Sequence, residues 1–466
     1  MANSEGDKPD IAISDKAPGD HRRLPIGKIN RYLLLSTGVA ALGGSLFGFD
    51  TAVISGVTRE LTITYALSPA LLGITVASAL WGTVLGAAIS GIPGDRFGRR
   101  DSLRVLAILY LLSSLGCAVA WNWHALLVAR LVGGLAIGGS SVLGPMYIAE
   151  IAPSKWRGRL VGFFQINVIL GILSAFISNY LIGLAGFGSF EWRVKLGVAA
   201  LPSALFLFLL FKIPRSPRWL VQQKRIGEAE KVLNMIGEDN VQEHLRSILN
   251  SLHLERQNEP LFSWEYRLPI FLAISIGAFN QLSGINAVWY YLNDIFTRAG
   301  FNNNSSNLQA IMVGITNLIA GSIALWLIDR AGRKMLLLIG SVGCAASLFG
   351  VAFVFHSGTH THLLLWFLIS FIGFFAFSQG AVIWVYIGEI FPNRVRAKGQ
   401  SLGSFSHWLT NAAVASIFPV IAVRSGTYPF VFFASMMVLQ FVVVLFVYPE
   451  TKCVPLEMIQ ERLELE

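Results

Sequence analysis

Charge is scarce in this chain. Only 14% of its 466 residues are Asp, Glu, Lys or Arg, whereas 54% are hydrophobic, and mean hydropathy is positive. A folded chain of this length has too little polar surface here to be a soluble globule, so the protein is expected in lipid. Cysteine is nearly absent. Cys117, Cys344 and Cys453 lie in or beside different apolar stretches, which excludes a disulfide framework and a thiolate metal site and leaves packing as their role. No nucleophile–base constellation, metal-ligand spacing or glycine-rich phosphate loop occurs, so no enzyme, cofactor or metal is expected. The net charge of +9 comes from basic residues scattered through short loops; without a basic face or stripe, nucleic-acid binding is excluded. Residues 1–31 are polar and carry acids and bases together, unlike a cleaved signal sequence or an acid-poor transit peptide, and read as a cytosolic tail.

What the chain does have is long apolar runs. Six, each about 20 residues and so able to cross a bilayer of about 30 Å, begin near Tyr32, Ala70, Ser102, Ala125, Leu160 and Val194. A polar interval follows, and six more begin near Leu268, Leu308, Met335, Leu363, Ser401 and Pro429. Their length and lack of strict alternation exclude a barrel, so they are expected to be helices that satisfy their own backbone in lipid. The expected organisation is an all-α membrane protein: tail 1–31, six-helix half 32–213, helical linker 214–267, six-helix half 268–448, tail 449–466. Gly227–Ile236 and Val241–Leu254 read as short amphipathic linker helices.

Basic residues set the orientation. With the N-terminus inside, Arg59, Arg193, Lys195, Arg298 and Arg424 fall outside, Arg130 falls within a span, and the other 30 of the 36 Lys and Arg residues are cytoplasmic. That bias places both termini in the cytosol of a multi-pass protein of the cell membrane.

The two halves repeat one another. Asp95-Arg96-Phe97-Gly98-Arg99-Arg100 returns as Asp329-Arg330-Ala331-Gly332-Arg333-Lys334, and Tyr147–Pro153 with Arg157 returns as Tyr386–Pro392 with Arg396, at nearly equal offsets of 234 and 239. Duplicated membrane units are a common build for transporters. A topology anchor explains the basic charge of these turns but not their leading acid, their glycine, or the mirrored Glu150 and Glu389. Asp95, Arg96, Arg99, Arg100, Glu150, Arg157, Asp329, Arg330, Arg333, Glu389 and Arg396 are therefore expected to form a cytoplasmic gate network that latches the halves and breaks as they rock.

Ionisable groups within spans are costly and point to function. Asp50, in the first span, and Arg130, in the fourth, each lie about 9 Å from the outer end at 1.5 Å per residue, so they can neutralise one another. A static structural pair and a proton carrier both fit this arrangement. Uncharged polar groups gather elsewhere: Gln165, Asn280, Gln281 and Asn286 around Gly284, Asn317, Gln379, Gly380, Trp384, His407, Trp408 and Asn411. Amides donate and accept as hydroxyls do, and tryptophan offers a platform for a sugar's C–H face, so a neutral, hydroxyl-rich ligand is expected.

On Asp95–Arg100, Pro145–Glu150 with Arg157-Gly158, Pro214 with Ser216–Leu220, Gln281–Asn286 and Pro449-Glu450-Thr451, the chain resembles the sugar porter family of the major facilitator superfamily over all twelve spans. The resemblance implies hexose or pentose binding by Gln165, Gln281, Asn286, Asn317, Trp384 and Asn411. It also implies proton coupling, since coupled members carry an aspartate in the first helix facing an arginine in the fourth. The chain departs from the family pattern at Asn280, at His407, at Arg215, and in the tenth span, whose usual prolines are missing and whose bend is expected to be softer. The resulting expectation is a monosaccharide:proton symporter, glucose being the first substrate to consider, acting as a monomer in the bilayer. A facilitative uniporter and a sugar sensor are the alternatives.

Overall fold

The computed structural model describes residues 30–452 apart from 154, 155, 239, 255–259 and 393. Residues 1–29 and 453–466, with Cys453 and most of the two expected tails, lie outside the described residues, as does the side chain of Asp329. All regular structure among the described residues is helical. Twelve helical spans are long and apolar enough to cross a membrane: Arg31–Gly56, Pro69–Ile89, Arg99–Ala118, Trp123–Ile151, Arg157–Ala185 and Gly188–Leu209, then Arg267–Tyr290, Ser305–Ile328, Arg333–Ser357, Leu363–Glu389, Lys398–Arg424 and Tyr428–Val447. They are called the first to twelfth spans below. Twelve crossings among the described residues put Arg31, Val447 and the linker on one face, here the terminal face; the opposite face is the far face.

Local chemistry sets the span starts. Asn30, Ser68, Asn122 and Asn302 each turn a side-chain oxygen onto a backbone N–H of the first helical turn, supplying an acceptor to an otherwise orphan donor. Pro69 follows Ser68 at the first helical position, where its missing N–H costs nothing. In both repeated turns glycine occupies the position before the next span. Gly98 has φ 90° and ψ 153°, and Gly332 φ 87° and ψ 159°, a region open essentially to glycine alone. The sequence repeat is thus a backbone repeat.

The first half is held by close backbone approach. A Cβ on Gly82, Gly86, Gly134 or Gly138 would run into the main chain of the opposing helix, so these glycines let the second and fourth spans touch along their length. Small-residue packing of this kind substitutes in lipid for the missing hydrophobic drive between helices.

Two spans are interrupted. The seventh breaks between Leu282 and Ile285, where Gly284 takes φ 81° against the ring of Phe433. A short helix, Leu292–Arg298, then lies beyond it on the far face. The tenth breaks at Ser378 into Leu363–Phe377 and Gln379–Glu389, so the helix is interrupted without proline rather than softly bent. Ser378 Oγ donates to Phe374 O at 2.6 Å, and a serine hydroxyl drawn back to the preceding turn competes with the helical ladder.

Between the halves, Pro217–Gln222, Ile226–Ile236 and Val241–Leu254 are helical. Their apolar faces share a small core of Trp219, Leu220, Val232, Leu233, Leu245 and Ile248. Asn30 Nδ2 donates to Met235 O at 2.9 Å, and Trp219 Nε1 to Asp95 O at 2.9 Å, tying this layer to the terminal face of the first half.

Candidate functional site: an ion pair, an amide cluster and two terminal-face networks

Asp50 and Arg130 meet inside the first half. Arg130 Nη1 stands 3.4 Å from Asp50 Oδ1, with 3% of the arginine side chain and 28% of the aspartate side chain exposed. Arg130 Nε is buried with no hydrogen-bond partner among the described residues. A guanidinium has five donors in a fixed fork, so one long contact leaves this charge under-satisfied, and a buried charge depends heavily on whatever partner it keeps.

The second half assembles amides around the break in the seventh span. Asn286 Nδ2 donates to Gln281 Oε1 at 2.9 Å. Gln281 Nε2 donates to Asn280 Oδ1 at 3.0 Å and reaches the ring nitrogens of His407 at 3.2 and 3.1 Å. His407 lies between two tryptophans, its ring centroid 5.1 Å from that of Trp384 and 5.0 Å from that of Trp408. Trp384 keeps 39% of its surface exposed beside this buried histidine. Asn411 Nδ2 donates to Tyr290 Oη at 3.1 Å. Gly380 follows the break at Ser378. Gln165, half-buried on the fifth span, and Asn317, buried on the eighth, stand outside this hydrogen-bonded group.

Two acceptors in the cluster have no donor among the described residues: Asn411 Oδ1 and Gln379 Oε1, both buried. Sealed amide oxygens normally find a partner. A hydroxyl-bearing ligand has the right chemistry to supply one.

The terminal-face networks are nearly the same in both halves. Arg99 pairs with Asp95 at 2.9 Å and with Glu150 at 3.0 Å, while Arg333 pairs with Glu389 at 2.9 Å. Arg99 and Arg333 also donate to the carbonyls of Gly94 and Ile328, at 2.9 and 3.3 Å. Each glutamate accepts a hydroxyl as well, Ser216 on Glu150 at 2.5 Å and Thr451 on Glu389 at 2.6 Å. The glutamates therefore pair with the turn arginines and not with Arg157, which is exposed, or Arg396, whose Nε donates to Phe391 O at 3.2 Å. The fold brings each turn against the end of another span of its own half. Arg100 binds Asp101 and the carbonyl of Ile213, at 3.0 and 3.2 Å; Arg96 and Arg330 lie over the rings of Phe97 and Trp326. Arg215 donates twice to Asp101 Oδ2, at 3.1 and 2.9 Å.

The Arg99–Glu150 and Arg333–Glu389 pairs each join helices within one half. The halves meet instead toward the far face and mid-membrane. Gly73 lies against the backbone of Ser416, Phe176 against Trp289, and Phe47 packs its ring on Trp408 at 5.5 Å. Sequence reasoning missed Phe47. A phenylalanine within a continuous apolar run carries no signal that its ring faces the other half.

The family model for sugar (and other) transporters matches residues 37–463. The chain belongs to this family. It is a multi-pass membrane transporter of the major facilitator fold and not an enzyme. It is 36% identical to the arabinose-proton symporter of Bacillus subtilis over 92% of this chain and 95% of that protein. It is 35% identical to the D-xylose-proton symporter of Escherichia coli over 84% and 86% of the two chains. Among solved structures, a partially occluded inward-open conformation of the E. coli xylose transporter XylE superposes with a TM-score of 0.83 at 33% identity, covering 91% of this transporter and all of that chain.

Proposed function

We propose that this transporter carries a neutral monosaccharide together with protons, by alternating access, across the cell membrane. The observation that carries the reading is the Asp50–Arg130 pair, an intramembrane charge couple held by one 3.4 Å contact. Protonating Asp50 frees Arg130 and changes which arrangement of the first half is favoured. The sugar site is the amide cluster: Asn280, Gln281, Asn286, His407 and Asn411 offer hydrogen bonds, Trp384 and Trp408 offer apolar faces, and Gln165, Asn317 and Gly380 complete the walls. The unfilled acceptors Asn411 Oδ1 and Gln379 Oε1 support a hydroxyl-bearing substrate. Kinship with an arabinose-proton and a xylose-proton symporter supports both the substrate class and the coupling, and adds pentoses to glucose as substrates to test.

The terminal face is the cytoplasmic one, on the strength of the basic residues gathered there, and one chain forms the complete path. In this arrangement the halves are closed against one another on the far face. The networks around Glu150 and Glu389 serve as the cytoplasmic gate, each bracing the span ends of its own half. One proton crossing 100 mV supplies about 2.3 kcal/mol, enough to concentrate a neutral sugar roughly fiftyfold.

The test is uptake of labelled glucose, xylose and arabinose into energised vesicles, with and without a proton ionophore, comparing the native chain with Asp50→Asn. Accumulation that disappears with either treatment, while sugar exchange persists in the variant, is the expected result. Equilibration without accumulation in the native chain would make it a uniporter and the ion pair structural.

A further inference from the structure

On the far face a second carboxyl lies at the seam between the halves. Asp294 belongs to the short helix Leu292–Arg298 of the second half and shares a cavity lining with Thr58 of the first. Residues of both halves line a polar cavity of about 100 Å3 there, with Ser55, Glu60 and Lys195 on one side and Asn293, Asp294 and Asn307 on the other. Asp294 keeps part of its surface, yet its Oδ2 is sealed with no hydrogen-bond partner among the described residues. A carboxylate oxygen without a donor is costly when buried; a carboxylic acid removes that cost by losing the charge.

The charges facing it do not neutralise it. Lys195 is committed to Glu191 at 2.5 Å and to the carbonyl of Gly56 at 2.8 Å. Arg298 donates to Ala422 O at 2.8 Å. Arg59 and Arg298 favour the ionised form and Glu60 opposes it, while burial outweighs them all and pushes the carboxyl up from 3.8 to about 6. The neighbouring Asn293–Asn307 hydrogen bond lies within the second half and supplies nothing to Oδ2.

We propose that Asp294 is a second proton site, separate from the Asp50–Arg130 pair, which binds a proton from the far side as the halves close there and releases it to the same side as they open. This rests on the reading that the halves alternate and that the far face is the outside. A proton that enters and leaves by one side is not transported. It makes closure, rather than stoichiometry, sensitive to external pH.

The sign follows from the two states. Open, Asp294 is hydrated and titrates near its usual 3.8; closed, near 6. The closed state holds a proton that the open state has lost, so closure is favoured as pH falls through 6, levels off below the usual value, and gains nothing from Asp294 well above 7. Between pH 7.5 and pH 5 the closed-to-open ratio rises about tenfold.

The experiment measures far-face distances by spin labels at Ala185→Cys and Thr359→Cys, in the full chain with its native cysteines replaced by alanine. An Asp50→Asn background removes the other proton site, and no sugar or gradient is present. The expected result is a closed fraction that rises as pH falls, a flat response in Asp294→Asn, and a midpoint moved to higher pH in Thr58→Val, which removes a neighbouring hydroxyl that favours the ionised form. A pH response that survives Asp294→Asn, or a midpoint unmoved by Thr58→Val, would overturn the proposal. A chain that accumulated no sugar in vesicles would sink the symport reading and leave this measurement intact.

Discussion

The two halves share a frame and divide the chemistry. Both carry the same glycine-capped turn, and in both a turn arginine reaches a glutamate at the end of another span. Within the membrane they differ. The first half holds the charged pair Asp50–Arg130, whereas the second keeps its charged residues at span ends and places Gln281, Asn286, His407 and Asn411 around a broken helix. Duplication accounts for the frame, since each copy must solve the same packing problem at the terminal face. The difference shows where each task sits: one half answers to a proton, the other to hydroxyl groups, and contacts such as Phe47 on Trp408 make one feel the other's movement.

The largest effect that separates the halves is expected at the turn arginines. Arg99 and Glu150 are buried to similar degrees, with 7% and 8% of their side chains exposed; Arg333 and Glu389 keep 11% and 24%. Removing one partner of a buried pair costs about 3–5 kcal/mol, because it strands the other charge. Arg99→Ala should therefore lower the melting temperature of the purified transporter markedly, and Arg333→Ala less, since water reaches Glu389. Equal losses would mean that both networks are buried alike in the working protein.

A smaller effect is expected from the centre of the second half. Gln281→Ala leaves Asn280 and Asn286 without their shared partner, and an unsatisfied buried amide costs about 1–3 kcal/mol. The expected outcome is a KM for sugar raised about 10- to 100-fold, with the proton-driven accumulation ratio retained at saturating sugar. If accumulation fell while KM held, the amides would belong to coupling and the division between halves would fail.

Much of this was legible in the sequence. Continuous apolar runs reveal spans because lipid leaves the backbone no other option. Asp50 and Arg130 could be paired from depth alone, because spans crossing in opposite senses convert residue number into height. Pairing at the terminal face was not legible in the same way: Glu150 has Arg157 nearby in sequence, but Arg99 reaches it through packing of the third span on the fourth. Asp294 carried no signal either. It stands in an ordinary-looking loop between two spans, and only the folding of Leu292–Arg298 under Thr58 shows it at the seam.

The finest distinction concerns what covers the two turn glycines. Against Gly98 lies the indole of Trp219, at 3.0 Å from where a Cβ would be; against Gly332 lies the carboxylate of Glu450, at 2.7 Å. Glu450 accepts the N–H groups of Arg333 and Lys334, each at 3.0 Å, placing negative charge at the start of the ninth span, where the helix dipole favours it. Alanine at either position costs about 1–3 kcal/mol in backbone strain, so that part should be common to both halves. The remainder should differ, because a packed indole yields less easily than a carboxylate at the end of a flexible chain. Gly98→Ala is thus expected to lower the melting temperature slightly more than Gly332→Ala. The reverse order would mean that the carboxylate cap, rather than the aromatic cover, is the stiffer of the two.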